Sequence, residues 1–363
     1  MKPFYHRVNT NFGDHINSWI WEELCPDLLA EDDGLRLIGI GSLLSRNLDL
    51  LEGGKVILGT GSGYSTLPSR EQAAAWHIYA VRGPLTARFL GLDPALAITD
   101  GAWLIDRIPR FKAKTGPEAP ARRGIIFIPH WTSAQYGVWP AICAKAGITY
   151  VDPLADFETI HAAITRAELA ICESLHGAIF SDYYRTPWVP VASPSRILKF
   201  KWLDWCQSLD LPYRPFLLPP SDYVDFLLQR QSPVISPATP QPIAVDPEQY
   251  DVVRSPPPPA KAGAAYRLKV RLRDLGRATR NQATAALRHA RDSRPFQAWN
   301  ARQAEALTSY LRAVAAEPPF LSAEAVRADR IARLGLALEA MRRDHHEKVI
   351  PQRAQTDGTR GRE

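Results

Sequence analysis

Short apolar runs alternate with helical patterns throughout residues 35–200, and this alternation limits the fold more than any other feature. The predicted strands are Leu35–Ile40, Lys55–Leu58, His77–Val81, Ala97–Thr99, Gly124–Ile128, Ile148–Val151, Leu169–Cys172 and Trp188–Val191. The predicted helices between them are Ser42–Leu51, Pro84–Leu90, Ala134–Ala146, Phe157–Arg166 and Leu175–Tyr184. Strands that alternate with helices form parallel sheets with helices on both faces. We therefore expect an α/β fold with two four-stranded parallel sheets, joined by the segment Arg110–Arg123.

The prolines and the charges divide the chain further. Residues 232–260 contain nine of the 31 prolines, which favour extended backbone and predict a semi-rigid linker. Of the 44 Lys and Arg and 38 Asp and Glu, residues 263–363 hold 20 and 11, so their net charge is +9 and that of the preceding residues is −3. We predict two sheet domains at 1–115 and 116–230, a Pro-rich linker at 231–262, a basic helical tail at 263–350 and a disordered end at 351–363.

The basic tail contains two helical patterns, Ala264–Arg294 and Ala323–Arg343. In the first pattern a stripe of Ala and Leu lies on one side, and arginines cover the other faces. A basic amphipathic helix of this kind can lie on anionic lipid, and it can equally pack on a protein body. Because the stripe lacks Trp and Phe anchors, the sequence leaves both alternatives open. We expect no nucleic-acid partner, since no reader motif accompanies the charge.

The cysteines, the histidines and the hydropathy exclude several protein classes. Cys25, Cys143, Cys172 and Cys206 are far apart and form no C-x-x-C pair, which argues against a zinc ribbon and fits a reducing cytosol. No apolar run reaches the ~18 residues of a membrane span, and residues 1–10 lack the apolar core of a signal peptide. The nine histidines are scattered, so no metal is expected. These features predict a cytoplasmic protein, peripheral to the inner face of the membrane if the tail binds lipid.

Small, basic and imidazole side chains follow the predicted strands at their carboxyl ends, where ligands of parallel sheets bind. The segments are Gly39-Ile40-Gly41-Ser42, Gly59-Thr60-Gly61, Arg82-Gly83-Pro84, Thr99-Asp100-Gly101, His130-Trp131 and Ser174-Leu175-His176-Gly177. Neither Gly39–Leu44 nor Gly59–Tyr64 completes G-x-G-x-x-G, because the last position is Leu or Tyr. The sequence therefore contains no dinucleotide fingerprint. The glycines still allow the backbone to approach an anion closely, although glycine is also common in simple turns.

The order of these motifs resembles the polysaccharide pyruvyl transferases. The resemblance is carried by Asn11-x-Gly13-Asp14, Gly39-x-Gly41-Ser42, Gly59-x-Gly61, Val81-Arg82-Gly83-Pro84 and Ser174-Leu175-His176-Gly177. The opening segment 8–15 is similar to the branch that decorates succinoglycan-type exopolysaccharides. The resemblance covers residues 1–215 and gives no account of the tail. One departure, Thr99-Asp100-Gly101-Ala102 where many members have Gly-Asp-Pro, leaves the local turn and the role of Asp100 open.

The resemblance implies a GT-B-like pair of Rossmann-like domains that uses phosphoenolpyruvate as its donor substrate, with no cofactor. The product would be a pyruvate ketal on a hexose of a lipid-linked exopolysaccharide repeat unit. To form the ketal, the methylene carbon of the donor must gain a proton, two sugar hydroxyls must attack the middle carbon, and phosphate must leave. This chemistry needs a general acid or base, cations for a carboxylate and a phosphate, and exclusion of water.

These requirements assign roles to the residues at the strand ends. His176, at the start of a helix, is the predicted general acid/base, and Arg82 is the predicted donor clamp. Asp14, which begins the predicted helix Gly13–Leu24, is the predicted base for the acceptor hydroxyl. The other predicted donor-binding residues are Gly39, Gly41, Ser42, Gly59, Gly61, Ser174, Lys199 and Lys201, and the predicted acceptor-binding residues are Asn11, His130 and Trp131.

Each assignment has a structural alternative. His176 could simply hold its loop by hydrogen bonds, Arg82 could form an ordinary ion pair, and the two lysines could lie on a solvated helix face. Two other functions also stay open. A nucleotide-sugar-dependent glycosyltransferase would use an acidic residue such as Glu173 for the ribose, but Arg82 would then have no obvious task. A non-catalytic, membrane-peripheral scaffold would use neither Arg82 nor His176. The sequence does not determine the oligomeric state.

Overall fold

The chain folds around two separate parallel sheets. The structure is a computed structural model, and it describes residues 1–5, 11–30, 32–45, 48, 50–63, 67–114, 116–193, 198–229, 239–245 and 294–350. All strand pairs within both sheets are parallel, which confirms the α/β class expected from the strand–helix alternation.

The first sheet has four strands in the order β1-β2-β3-β4. They are β1 (Lys2–Pro3), β2 (Leu35–Ile38), β3 (Gly54–Leu58) and β4 (His77–Ala80). The predicted strand Ala97–Thr99 is wrong, because only a single parallel bridge forms, between Val81 and Ala97. Immediately afterwards the chain turns into a 3-10 helix at Gly101–Arg107, so no further residue pairs with the sheet.

The second sheet has five strands in the order β6-β5-β7-β8-β9, one more than predicted. They are β5 (Ile125–Ile128), β6 (Thr149–Tyr150), β7 (Leu169–Cys172), β8 (Trp188–Ala192) and β9 (Phe216–Leu217). The extra strand, β9, is only two residues long and pairs with the end of β8. A strand this short has no alternating pattern that the sequence could reveal.

Thirteen α-helices lie within the described residues. They are α1 (Phe12–His15), α2 (Ile20–Leu24), α3 (Pro26–Leu29), α4 (Arg70–Ala74), α5 (Pro84–Leu90), α6 (Trp131–Tyr136), α7 (Trp139–Ala146), α8 (Phe157–Arg166), α9 (Leu175–Tyr183), α10 (Lys199–Ser208), α11 (Tyr223–Gln229), α12 (Arg294–Ala315) and α13 (Glu324–His346).

Three predicted helices differ from the observed ones. The predicted helix Gly13–Leu24 consists of α1, a 3-10 turn at Ile16–Ser18, and α2. The predicted helix Ala134–Ala146 breaks between α6 and α7, because Pro140 fits only the first turn of a helix. The described part of Ser42–Leu51 forms bends, a 3-10 turn and a bridge from Leu44 to Ser62 instead of an α-helix.

The two sheets share one large hydrophobic core. Buried residues of the first sheet, such as Leu37 and Val56, belong to the same cluster as Ile128 and Cys172 of the second sheet. The 3-10 helix Gly101–Arg107 contacts α9 directly, and the Trp103 indole donates a hydrogen bond to the carbonyl of Ile179 (3.0 Å). The carboxyl-end loops of both sheets are therefore held against each other.

The C-terminal helices pack on the body. α12 contacts α7 and β7, whereas α13 contacts β4 and the 3-10 helix Gly101–Arg107, so together they touch both sheets. These contacts confirm a helical C-terminal region, and α13 matches the predicted helix Ala323–Arg343 closely. The predicted helix Ala264–Arg294 lies outside the described residues except for its last one. The segment 351–363 and most of the predicted linker 231–262 also lie outside them.

The described part of the chain contains no helix that is both long enough and apolar enough to cross a bilayer.

Candidate active site

A cleft lies where the carboxyl ends of the two sheets meet. It encloses about 600 Å³, including its open mouth. Its lining residues are Asn11, Asp14, Gly41, Ser42, Leu43, Arg82, Asp100, His130, Trp131, Ser174, Leu175, His176 and Lys201. Ten of these thirteen residues are predicted site residues, drawn from segments more than 150 positions apart. The structure therefore brings most of the predicted site together in one cleft.

Sheet topology explains this convergence. Gly41 and Arg82 follow the first sheet's β2 and β4, while His130 and His176 follow the second sheet's β5 and β7. Within each parallel sheet these ends lie at the same edge, and the carboxyl-end edges of the two sheets meet at the cleft.

Asn11 and Asp14 form a hydrogen-bonded pair at the start of α1. The Asn11 Oδ1 atom accepts hydrogen bonds from the backbone amides of Gly13 (3.0 Å) and Asp14 (3.1 Å), which makes Asn11 the helix cap. Its Nδ2 atom donates to Asp14 Oδ2 at 2.9 Å. On the other side of Asp14, a Cβ atom added to Gly41 would lie 3.0 Å from Asp14 Oδ1, and Gly41 has a φ of +107°. Glycine at position 41 therefore leaves room for the Asp14 carboxylate.

Arg82 is fully buried at the back of the cleft. Its Nε atom donates to Asp204 Oδ2 (3.1 Å), and its Nη2 atom donates to the Ser62 carbonyl (2.7 Å). Its Nη1 atom donates to Ser42 Oγ (2.7 Å) and makes a long contact of 3.4 Å with the Gly41 carbonyl. The guanidinium is thus anchored on two sides, and Nη1 is the corner directed toward the lining residues Gly41 and Ser42.

Asp204 was not predicted as part of the site. It lies on α10 and accepts hydrogen bonds from the backbone amide (2.9 Å) and hydroxyl (2.6 Å) of Thr86 on α5, in addition to the bond from Arg82. Gly83 permits this approach, because a Cβ atom there would lie 1.9 Å from the Asp204 carbonyl oxygen. Arg82 and Asp204 are 122 positions apart, so no sequence spacing could reveal their pairing.

His176 lies in the first turn of α9, whose cap is Ser174. Its ring packs against Gly13 so closely that a Cβ atom at Gly13 would overlap it. Burial, with added effects from Lys201 and Arg82, lowers the pKa of His176 to about 3. The Nε2 atom is buried and has no hydrogen-bond partner among the described residues. At neutral pH the cleft therefore holds a neutral imidazole with one unsatisfied nitrogen.

Asp100 is a cleft residue to which the sequence assigned no role. It caps the 3-10 helix Gly101–Arg107, and its Oδ1 atom accepts a hydrogen bond from the Ala102 amide at 3.0 Å. Its Oδ2 atom is buried and has no partner within the described residues. One feature of the sequence could have indicated that Asp100 lies in the site. Asp100 follows the segment 97–99, and Ala97 of that segment pairs with Val81, the residue before Arg82.

The second sheet contributes a rigid rim to the cleft. The Glu173 carboxylate is fully buried and accepts hydrogen bonds from the His130 amide (2.9 Å) and the Ser133 hydroxyl (2.9 Å). The His130 ring caps α6 and lies 2.7 Å from Thr132 Oγ1 through its Nδ1 atom. Trp131 follows at the cleft edge and is only partly buried. Glu173 therefore positions the rim from behind and does not line the cleft.

Four predicted donor-binding residues do not line the cleft. Gly39 packs against the Trp21 ring, Gly59 against the Gly101 backbone, and Gly61 against the Arg82 guanidinium, at distances that leave no room for a Cβ atom. Lys199 is partly buried, and its Nζ atom donates to the Ala244 carbonyl at 3.4 Å. The three glycines support the cleft from behind, and contact of these four residues with a donor stays a prediction.

α10 distinguishes the two predicted lysines. Lys201 is 6% exposed and lines the cleft, whereas Lys199, half a turn away, faces the segment 239–245. The alternative of a solvated helix face is wrong for most of α10, since Phe200, Trp202 and Trp205 are also buried.

No group of three or more His, Cys, Asp or Glu side chains with metal-binding geometry occurs within the described ranges.

Comparison with known proteins agrees with the site. The family model of polysaccharide pyruvyl transferases matches residues 11–195, a range that contains every lining residue except Lys201. The chain is also 39% identical, over 230 residues, to the succinoglycan biosynthesis protein ExoV of Rhizobium meliloti (strain 1021). This alignment covers 63% of the present chain and 71% of the relative. No solved structure matches. On the strength of both matches, the chain belongs to the polysaccharide pyruvyl transferase family.

Proposed function

We propose that this member of the family transfers the pyruvyl group of phosphoenolpyruvate, as a ketal, to two hydroxyls of a hexose in a lipid-linked exopolysaccharide repeat unit. The observation that carries the proposal is the cleft itself. It places two buried cations, Arg82 and Lys201, beside the unsatisfied Nε2 atom of His176. A small donor with a carboxylate and a phosphate needs such a combination.

The donor would lie against the Arg82 Nη1 atom. A carboxylate or phosphate oxygen can replace the long 3.4 Å contact with the Gly41 carbonyl, while Nε and Nη2 keep their bonds to Asp204 and Ser62. The Arg82 guanidinium would then bind the donor and keep its hydrogen bonds to Asp204 and Ser62. Lys201 would supply a second positive charge from the opposite sheet's side of the cleft.

Donor binding would also change the proton affinity of His176. In the free protein, burial and the two cations hold its pKa near 3. A strongly anionic donor offsets both cations and raises the pKa of His176, because nearby negative charge favours the imidazolium. The imidazole would thus become an effective proton acceptor only once the donor is in place.

The acceptor would enter from the rim. Trp131 offers a partly exposed ring on which a sugar can stack, and Asp14 and Asn11 offer polar atoms on the facing side. Asp14 is in this proposal the base for one acceptor hydroxyl. A lipid-linked acceptor would also give the basic segment 263–294 a reason to approach an anionic membrane surface.

A nucleotide sugar fits the cleft less well. The acidic residue suggested for a ribose, Glu173, is fully buried and bound to His130 and Ser133. It would have to break both bonds to reach a ligand. The geometry therefore favours phosphoenolpyruvate over a nucleotide sugar as the donor.

A thermal-shift comparison tests the donor. Phosphoenolpyruvate, inorganic phosphate, and UDP- and GDP-sugars are each added to the purified protein. A ligand at 100 times its Kd adds about 2.7 kcal/mol to the free energy of unfolding, which raises the melting temperature by several degrees. We expect the largest shift with phosphoenolpyruvate. A shift with nucleotide sugars alone would overturn the proposal in favour of a glycosyltransferase.

The two lysines of α10 provide a matched pair of variants. Lys201→Gln removes a cation from the cleft and should weaken phosphoenolpyruvate binding by about 10- to 100-fold, the usual value of a charge-assisted hydrogen bond. Lys199→Gln removes the same charge from outside the cleft and should leave the Kd within about twofold. Isothermal titration calorimetry measures both constants. Equal losses in the two variants would show that only the overall charge attracts the donor.

A further inference from the structure

We propose that Asp100 is the proton donor to the methylene carbon of the enolpyruvyl donor, acting through its unsatisfied Oδ2 atom. The inference rests on the proposed donor, phosphoenolpyruvate, and adds a catalytic residue for which the sequence left no role. It assigns the two halves of acid–base catalysis to different groups: Asp100 supplies a proton, and His176 and Asp14 remove protons.

The position of Asp100 is fixed by its other oxygen. The Ala102 amide holds Oδ1 at 3.0 Å, and the 3-10 helix that begins at Gly101 follows immediately. Behind it, the Gly101 amide donates to the Gly59 carbonyl at 3.1 Å, which ties this turn to the end of β3. With Oδ1 occupied in this way, Oδ2 is the carboxyl oxygen left without a partner at the cleft.

An unpaired carboxylate oxygen is costly in a fully buried side chain. Leaving a buried acceptor without a partner costs about 1–3 kcal/mol, and more when the group is charged. The nearby Asp204 is also fully buried, but its carboxylate is compensated by three hydrogen bonds from Arg82 and Thr86. Among the described residues, Asp100 accepts only one hydrogen bond. A proton on Oδ2 removes the charge and supplies a hydrogen-bond donor in a side chain that lines the cleft.

The electrostatic surroundings act in the same direction. Burial raises the pKa of Asp100 to about 7 and outweighs the lowering by Arg82 and by the Ala102 amide, while Asp14 and Asp204 add smaller increases. Burial therefore favours the protonated form of Asp100 far more than it would be favoured in an exposed aspartate. An anionic donor in the cleft raises the pKa further, because it makes the ionised carboxylate still less favourable. His176, in contrast, has its pKa lowered to about 3 and holds no such proton before the donor binds.

The proposed step balances in atoms and charge. The π electrons of the donor's double bond take the proton from Asp100 Oδ2 and form the new methyl C–H bond. The first sugar oxygen bonds to the middle carbon, and its proton passes to His176. The second sugar oxygen then bonds to the same carbon as the C–O bond to phosphate breaks, and its proton passes to Asp14. Phosphate leaves with the electron pair of that bond and takes the proton held by His176, so it departs as the hydrogen phosphate dianion. Exchange with water then restores the proton on Asp100 and removes the one on Asp14.

The matched variants are Asp100→Asn and Asp93→Asn. The amide introduced by Asp100→Asn keeps an Oδ1 acceptor for the Ala102 backbone but carries no acidic proton. Asp93 caps the preceding 3-10 helix in the same manner, through a bond from the Ala95 amide (2.8 Å), but it is exposed and outside the cleft. The pair therefore separates loss of a helix cap from loss of the cleft acid.

The first measurement needs no acceptor. Infrared difference spectra between about pH 6 and pH 8.5 should show a protonated carboxyl in the wild type that titrates near neutrality. This band should be absent from Asp100→Asn and present in Asp93→Asn. If Asp100→Asn retains the band, Asp100 is ionised at neutral pH and the inference is wrong.

The second measurement is turnover, followed as phosphate released from phosphoenolpyruvate with p-nitrophenyl glucoside, galactoside or mannoside as the acceptor. Asp100→Asn should lower kcat by 10²–10⁴-fold, the usual contribution of a general acid, with the Kd for phosphoenolpyruvate nearly unchanged. The wild-type kcat/KM for phosphoenolpyruvate should fall as the pH rises above about 7, the fall in kcat should begin at higher pH, and a residual rate of Asp100→Asn should lack this fall. Wild-type kcat in Asp100→Asn would overturn the inference. If the wild type neither binds phosphoenolpyruvate nor releases phosphate, the proposed donor fails instead, whatever the infrared band shows.

Discussion

The cleft and the C-terminal helices differ in how their polar side chains are paired. In the cleft, His176 Nε2 and Asp100 Oδ2 are buried without partners. In the C-terminal region, four arginines donate hydrogen bonds to backbone carbonyls: Arg312 to Lys145 and Ala146, Arg327 to Tyr183, Arg330 to Ser208 and Arg333 to Ala95. Buried polar groups without partners also occur elsewhere in the described chain, as at His345 Nδ1, but His176 and Asp100 line a cleft, where a ligand can supply the missing partner, whereas the paired arginines stabilise the fold.

Three of the carbonyls that these arginines bind lie at the C-terminal ends of helices. Ala146, Tyr183 and Ser208 are the last residues of α7, α9 and α10, where helix carbonyls lack intrahelical partners and the helix dipole is negative. α9 begins with the segment that contains His176, and α10 carries Lys201 and Asp204. Much of the described tail's basicity therefore holds the helices of the cleft in place.

The largest test of this comparison is His176→Ala. If the unsatisfied imidazole removes a proton during the reaction, turnover should fall by 10²–10⁴-fold while the Kd for phosphoenolpyruvate changes little. His77→Ala is the control, because His77 lies at the opposite end of β4 from the cleft. Steady-state phosphate release and calorimetry measure the two quantities. A His176→Ala variant that keeps more than about a tenth of wild-type turnover would leave His176 a structural residue.

A second test compares two glycines with positive φ. Gly41→Ala should destabilise the protein by about 1–3 kcal/mol through backbone strain, and its Cβ atom would also press on Asp14 Oδ1. Gly34 has a φ of +78° and nothing within 4 Å, so Gly34→Ala introduces only the strain. Denaturant unfolding should show similar losses of stability for both, while turnover should fall in Gly41→Ala alone. Equal turnover would show that the position of Asp14 does not matter.

The smallest expected effect concerns the arginines of the tail. Arg330→Met should lower the free energy of unfolding by about 1–2 kcal/mol, because the last carbonyl of α10 loses a charged donor. The donor Kd should stay within about twofold, because Arg330 does not line the cleft. Thermal unfolding and calorimetry measure both. Arg343→Met serves as the control, since Arg343 is 62% exposed and forms a long ion pair of 4.0 Å with the neighbouring Asp344. A large loss of donor binding in Arg330→Met would mean that the two regions are coupled more tightly than their contacts indicate.

Local patterns in the sequence predicted the parts of the fold that depend on local physics. The helices α5 and α8 and the strand β7 have the predicted bounds, because each has a full apolar period and clear capping or turn residues at its ends. The same patterns predicted which strand ends would carry Gly41, Arg82 and His176. Parallel-sheet geometry places Gly41 and Arg82 at one edge of the first sheet and His176 at the corresponding edge of the second, and the packing of the two sheets brings these edges together.

Tertiary structure alone decided what each of these residues does there. Arg82 meets Asp204 across 122 positions, Lys201 enters the cleft while Lys199 does not, and Asp100 acquires its raised pKa from burial among neighbours that the sequence places far away. Hydrophobic periodicity is a property of neighbouring residues, so the sequence by itself determined the strands, the helices and the residues at their ends. Desolvation and charge pairing depend on distances between remote segments, and only the packed fold sets those distances.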